Sequence, residues 1–162
     1  MLVRHLLAFA AMLSSNYLTP DYYRSHSPAQ AYLDLRADPT LSSLSDPNVW
    51  DLVAYIWRSN TTPDGLAEGQ RLFAQNCAAC HGESGGGDGV FAGSVNAQTG
   101  KFPANSTDPA SMLCASPALL QGKILRGGIG TGMPYWEPIF DNETIWSIIG
   151  YLYTFQFDEG QK

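Results

Sequence analysis

Apolar positions recur with a helical period in four stretches of the chain, and no segment alternates with period two for long enough to propose a sheet. Val49, Leu52, Val53, Ile56 and Trp57 stand at i, i+3, i+4, i+7 and i+8, the stripe of an amphipathic helix. Asp46 and Pro47 start that helix as a capping carboxylate followed by proline in the first turn. Asn60 to Pro63 ends it and opens the next, with Thr62 as cap, and that next helix runs through Leu66, Gly69 and Phe73 toward Cys77. Ser116 and Pro117 begin a third, with Leu119, Leu120 and Ile124 on one face and Gly127 stopping it. Asp141 or Asn142 caps the last, striped by Ile145, Ile148, Ile149 and Leu152. Between these lie stretches without a period. Tyr17 to Ser45 is punctuated by Pro20, Pro28 and Pro39, with a short helix expected at Ala29 to Leu35. Its tyrosines Tyr17, Tyr22, Tyr23 and Tyr32 suit a segment that wraps over the rest of the chain or over a neighbouring subunit. Ser84 to Gly89 reads as a loop, and Val90 to Thr107 shows no strong pattern. The expected fold class is all-α.

The chemistry concentrates where the second of these helices ends, at Cys77-Ala78-Ala79-Cys80-His81. Two thiols two residues apart on a helical turn can each add to one vinyl group of a haem, which leaves the next side chain beside the iron. Cys77 and Cys80 are therefore read as anchors and His81 as the proximal ligand. A zinc site would want a second ligand pair, but the other cysteine is Cys114, and His5 and His26 lie far upstream at no ligand spacing. A redox dithiol would want a βαβ surround, and the flanks here are helical and Gly-rich.

An iron held from one side needs its other axial position decided. Of Met1, Met12, Met112 and Met133, only Met133 sits in a setting built to present it, the run Gly127 to Trp136. Its four glycines let a loop lie close against a flat ligand, and Pro134 fixes the backbone just after the sulfur. Met112 is the rival and reads as core filler. Arg126 and Trp136 flank the loop and are candidates to bond a haem propionate, or equally a solvated Arg and a core Trp. Cys114 reads as a small buried hydrophobe.

At these motifs the chain resembles the class I cytochromes c, from Leu66 to Phe157. The resemblance implies an all-α helical bundle around one covalent haem c, here carrying a helical N-terminal extension. The division is 1–61 for the extension and 62–162 for the haem domain. Such proteins have a proline whose carbonyl orients the proximal imidazole through its second nitrogen, and Pro103 in Lys101-Phe102-Pro103-Ala104-Asn105 is the match. Their end helices cross, and Gly69 is the position that would let Tyr151 or Trp146 approach beside Phe73.

An internal echo bears on the extension. Trp50 and Tyr55 line up with Trp146 and Tyr151 at a shift of 96 residues (146 minus 50), which also matches Val49 with Ile145 and Leu52 with Ile148. The same shift carries Met133 onto Ala37 and Cys77 to before Met1. The front part thus reads either as the tail of a second, haem-less lobe or as a coincidence of two amphipathic helices. The apolar run Leu6 to Leu13 is too short for the about twenty residues that cross a bilayer, and no small-x-small cleavage site follows it clearly. It is expected to bury itself on a partner, at a membrane surface or in the chain's own core, and docking on a partner is favoured. On that reading a chain beginning near Thr62 would still attach haem.

The length of 162 residues, 44% of them hydrophobic, allows one well-buried domain or a haem domain plus an extension. A formal charge of −6 argues against nucleic acid or an anionic lipid surface as partner. Haem attachment of this kind is made outside the cytoplasm, which points to the periplasmic face of a bacterial membrane, held peripherally. A six-coordinate His/Met iron implies an electron-transfer protein, not an enzyme on its own; the opposing class is a haem enzyme or sensor with a labile sixth ligand. A free periplasmic carrier competes with a subunit of a quinol-oxidising respiratory or photosynthetic complex. Gly130 to Trp136 followed by Tyr151 to Phe157 resembles the monohaem cytochrome subunit of bacterial alternative complex III. That resemblance implies integral membrane subunits, a multihaem cytochrome and a small soluble redox acceptor as partners.

Overall fold

The computed structural model describes residues 9–157, which carry helices and, among the described residues, no strand. The helices are α1 (Pro20–Ser25), α2 (Pro28–Ala37), α3 (Asp46–Ser59), α4 (Pro63–Asn76), α5 (Ala78–His81), α6 (Ala92–Thr99), α7 (Pro109–Met112), α8 (Pro117–Arg126) and α9 (Asn142–Phe157). Most begin in the same way, with a Ser, Thr or Asp oxygen accepting an amide of the first turn just ahead of a proline that has no N–H to leave orphaned. Thr62 Oγ1 accepts from Gly65 N at 3.0 Å, and Ser116 Oγ accepts from Leu119 N at 3.2 Å. Ser27 and Gln30 close a reciprocal capping box on α2. The cap of α3 is Ser45, not Asp46, which sits in the first turn with its charge at the positive end of the helix. Asp141 caps α9, accepting from Thr144 N at 2.8 Å.

Two helices fall where no period was legible. α1 buries Tyr23 and α6 buries Ala92, so neither carries an apolar stripe for a pattern to reveal.

The core joins the two ends of the chain. Val49, Leu52, Val53 and Ile56 of α3 are fully buried in one cluster with Ile145, Ile148 and Ile149 of α9, and with Ile124 and Met112. Tyr23 and Tyr153 stand edge-on to Trp57, with ring centroids 5.6 and 5.7 Å away. Ala29 N donates to Leu113 O at 2.9 Å. Residues on both sides of the 61/62 boundary therefore share a single core. α3 thus supplies a surface that α9 packs on, which a chain beginning near Thr62 would lack. Phe9, Ala10 and Leu13 of the apolar run are half-buried against that same core, and Leu6, Leu7 and Ala8 lie outside the described residues. Among the described residues no helix is long and apolar enough to cross a membrane.

α4 crosses α9 at Gly69. A Cβ there would lie 2.7 Å from the carbonyl carbon of Ser147 and 2.9 Å from Tyr151 Cβ, so the helices touch backbone to backbone. Phe73 packs on Tyr151 with ring centroids 5.5 Å apart, while Trp146 turns the other way to lie under the Arg24 guanidinium at 4.8 Å. Gly69→Leu should lower stability by about 1–3 kcal/mol through overpacking, read as a lower denaturation midpoint of the haem-loaded protein. An unchanged midpoint would mean that the two helices can part without loss.

Candidate functional site

α4 runs almost without a break into the single turn α5, with Cys77 N donating to Phe73 O at 2.8 Å and His81 N to Cys77 O at 2.9 Å. A turn this short leaves its carbonyls without helical partners. The Gly-rich segment that follows supplies them. Phe91 N donates to Ala79 O at 2.8 Å, Gly89 N to Cys80 O at 3.1 Å and Gly87 N to His81 O at 2.7 Å. A Cβ on Gly89 would sit 2.5 Å from the carbonyl oxygens of Ala78 and Ala79, so the loop can lie on the motif only because that side chain is missing.

The His81 ring is held from behind. Its Nδ1 lies 3.0 Å from the carbonyl oxygen of Ala104, which makes Nδ1 the protonated nitrogen and leaves the Nε2 lone pair for a metal. The carbonyl that does this belongs to Ala104, not to Pro103 as the sequence match had it. Pro103 O instead faces Gly87, within 2.7 Å of where a Cβ would stand. The orienting acceptor is a backbone atom in an irregular segment, so a one-residue offset has no side-chain signature.

Gly127 at φ +61° ends α8, and the chain doubles back on itself. Gly128 N donates to Met133 O at 3.1 Å and Thr131 N to Gly128 O at 3.0 Å. This closed turn presents Met133 to a cavity of about 210 Å³ that Cys77 and His81 also line. Phe73, Leu120, Ile124, Ile148 and Leu152 give it apolar walls, and Trp136 and Phe140 stack nearly parallel at 5.0 Å as a further wall. Met112 reaches the cavity as well, from a buried position in the core.

Other expected residues stand elsewhere. Cys80 is half-buried and not part of the cavity lining. Arg126 is exposed, does not line the cavity, and folds back over Gly122. Cys114 is exposed, not a buried hydrophobe. The lining residues that the sequence reading passed over include Phe140, Asn105, Ser106, Ser111, Ala115 and Lys123. For Lys123 a signal existed, since it lies three residues after Leu120 and beside Ile124 on the striped face of α8.

Burial first, and Cys80 beside it second, push the Cys77 thiol up to about 11. A thiol, an imidazole with Nε2 free and a thioether facing one apolar cavity fit haem c. Residues 64–152 match the family described as cytochrome c oxidase, cbb3-type, subunit III. The chain belongs to this family of cytochromes c. Its cofactor is haem c, covalently bound.

The cytochrome is 33% identical over 88 residues to the cbb3-type cytochrome c oxidase subunit FixP of Bradyrhizobium diazoefficiens, covering 54% of this chain and 27% of that relative. It is 42% identical over 53 residues to the subunit FixPc of Rhizobium leguminosarum bv. viciae, covering 30% of this chain and 18% of the relative. The matched lengths thus come to about a quarter or less of these relatives. No solved structure matches the chain. The family match begins at Asp64, one residue into α4, so α1 to α3 lie outside it although they share its core.

Proposed function

We propose that this cytochrome c is an electron-transfer subunit of a membrane-bound oxidoreductase complex, held on the periplasmic face, with His81 and Met133 as the axial ligands of its iron. The observation that carries the ligand assignment is that His81, with Nδ1 engaged by Ala104 O, lines the same cavity as Met133. Haem c supplies a one-electron iron couple. The chain's own residues do the rest. Ala104 fixes the imidazole tautomer, and the turn at 127–134 brings in a thioether that would hold the iron from the other side and raise its potential. The apolar walls from Phe73 to Leu152 keep water away from the centre. Cys77 and Cys80 would anchor the porphyrin, and Trp136 would form part of the wall of its site.

The relatives are named as oxidase subunits, which favours a cbb3-type oxidase as the host assembly. The loop Gly130 to Trp136 followed by the aromatic stretch Tyr151 to Phe157 carries the resemblance to the subunit of alternative complex III, and in that host the partners would be integral membrane subunits and a multihaem cytochrome, with a small soluble redox protein to take the electron. In either host, residues 1–61 act as a cover for the core and their apolar start as an attachment to the complex. Copurification of the tagged full chain from detergent-solubilised membranes separates these hosts. Oxidase core subunits in the eluate support the first, and a multihaem cytochrome supports the second. Recovery of the chain alone from the soluble periplasmic fraction would overturn the subunit reading in favour of a diffusing carrier.

A further inference from the structure

The cavity is apolar except where Asn105, Ser106, Ser111 and Lys123 line it. Several of the hydrogen-bonding groups there are already engaged. Ser106 O accepts from Gln156, Ser111 Oγ donates to Asp108, and Asn105 Oδ1 accepts from Thr107. The side-chain donors of the lining left without a hydrogen-bond partner are Asn105 Nδ2, Ser106 Oγ, Trp136 Nε1 and Lys123 Nζ, and of these only Lys123 is charged. Other cations have found partners: Arg24 lies over Trp146, Arg36 donates to Leu44 O at 2.8 Å, and Arg71 pairs with Glu68. Lys123 has no carboxylate within ion-pair range among the described residues, in a chain with 15 acidic groups against 9 basic ones. Lys123 lines the cavity with Leu120 and Ile124 of the same helix and is exposed, as suits a long side chain whose stem is apolar and whose head is charged. An uncommitted cation and uncommitted neutral donors on a largely apolar cavity suit a flat apolar ligand with carboxylates on one edge.

We propose that Lys123, aided by the Asn105 amide, takes the carboxylate edge of the haem in place of Arg126, and that its charge raises the reduction potential of the iron. The proposal rests on the reading of this cavity as the haem site. A fixed positive charge close to the haem disfavours the extra positive charge of the oxidised state. Arg126, on the same helix but outside the cavity, acts through solvent and is screened.

The test is a redox titration of the haem-loaded protein carrying Lys123→Gln, Lys123→Arg or Arg126→Gln. Lys123→Gln should lower the potential by up to about a tenfold change in the reduction equilibrium, ~59 mV for one electron. Lys123→Arg should restore most of the parent value, and Arg126→Gln, the same loss of charge, should move it far less. An unchanged potential in Lys123→Gln, or an equal shift in Arg126→Gln, overturns the assignment. The haem spectrum of the parent protein checks the underlying site separately, so an unchanged potential with that spectrum intact refutes Lys123 alone.

Discussion

A chain beginning at Thr62 is expected to give no soluble, haem-loaded protein, although it keeps every residue of the haem motif. Removing α3 takes away Val49, Leu52, Val53, Ile56 and Trp57, all buried, and uncovers the faces of Ile145, Ile149 and Tyr153 that they pack on. Full burial of such side chains is worth about 1.5–3 kcal/mol each, so the loss is on the order of 10 kcal/mol. That is comparable with the whole stability of an ordinary domain, about 5–15 kcal/mol. The effect reaches the site as well. The turn carrying Met112 and Ala115, both cavity residues, is held by Ala29 N donating to Leu113 O and by the buried Tyr153 hydroxyl donating to Ala115 O at 2.6 Å. Haem absorbance per polypeptide and a far-ultraviolet thermal melt measure the outcome. Within the full chain, Leu52→Ala or Ile56→Ala should cost about 2–5 kcal/mol each. A truncated chain that folds and binds haem like the parent would show that residues 1–61 serve attachment only.

Met133→Ala should abolish the weak far-red band that a thioether ligand gives ferric haem and should open the iron to cyanide, with a large fall in potential from loss of the sulfur. The control is Met112→Ala. Met112 lines the same cavity but is 5% exposed and packed in the core, so its removal should cost about 2–5 kcal/mol of stability and leave the band in place. The opposite pattern, with the band surviving in Met133→Ala and lost in Met112→Ala, would move the ligand to the buried methionine. Cyanide binding and the far-red spectrum of the two holoproteins decide between them.

Local chemistry was legible in the chain wherever it depends on neighbours in sequence. The Cys77 to His81 spacing lies on one helical turn, the Ser, Thr or Asp followed by Pro marks helix starts, and the stripes on α3 and α9 repeat with the helical period, so each can be read from a few adjacent residues. The single-glycine crossing at Gly69 was legible too, because a missing side chain beside Phe73 has few other uses. Tertiary structure alone decided which carbonyl holds the imidazole, since Ala104 O is a backbone atom brought 23 residues back to His81 and any residue type could offer it. It also placed Lys123, not Arg126, on the cavity wall, because Arg126, the last residue of α8, folds back over Gly122 although it shares a helix face with Lys123. And it decided that the extension belongs to the core. An apolar stripe states that a helix must bury one face, but whether α3 buries that face on a partner or on α9 of its own chain depends on where the fold brings α9, and no pattern within α3 can carry that information.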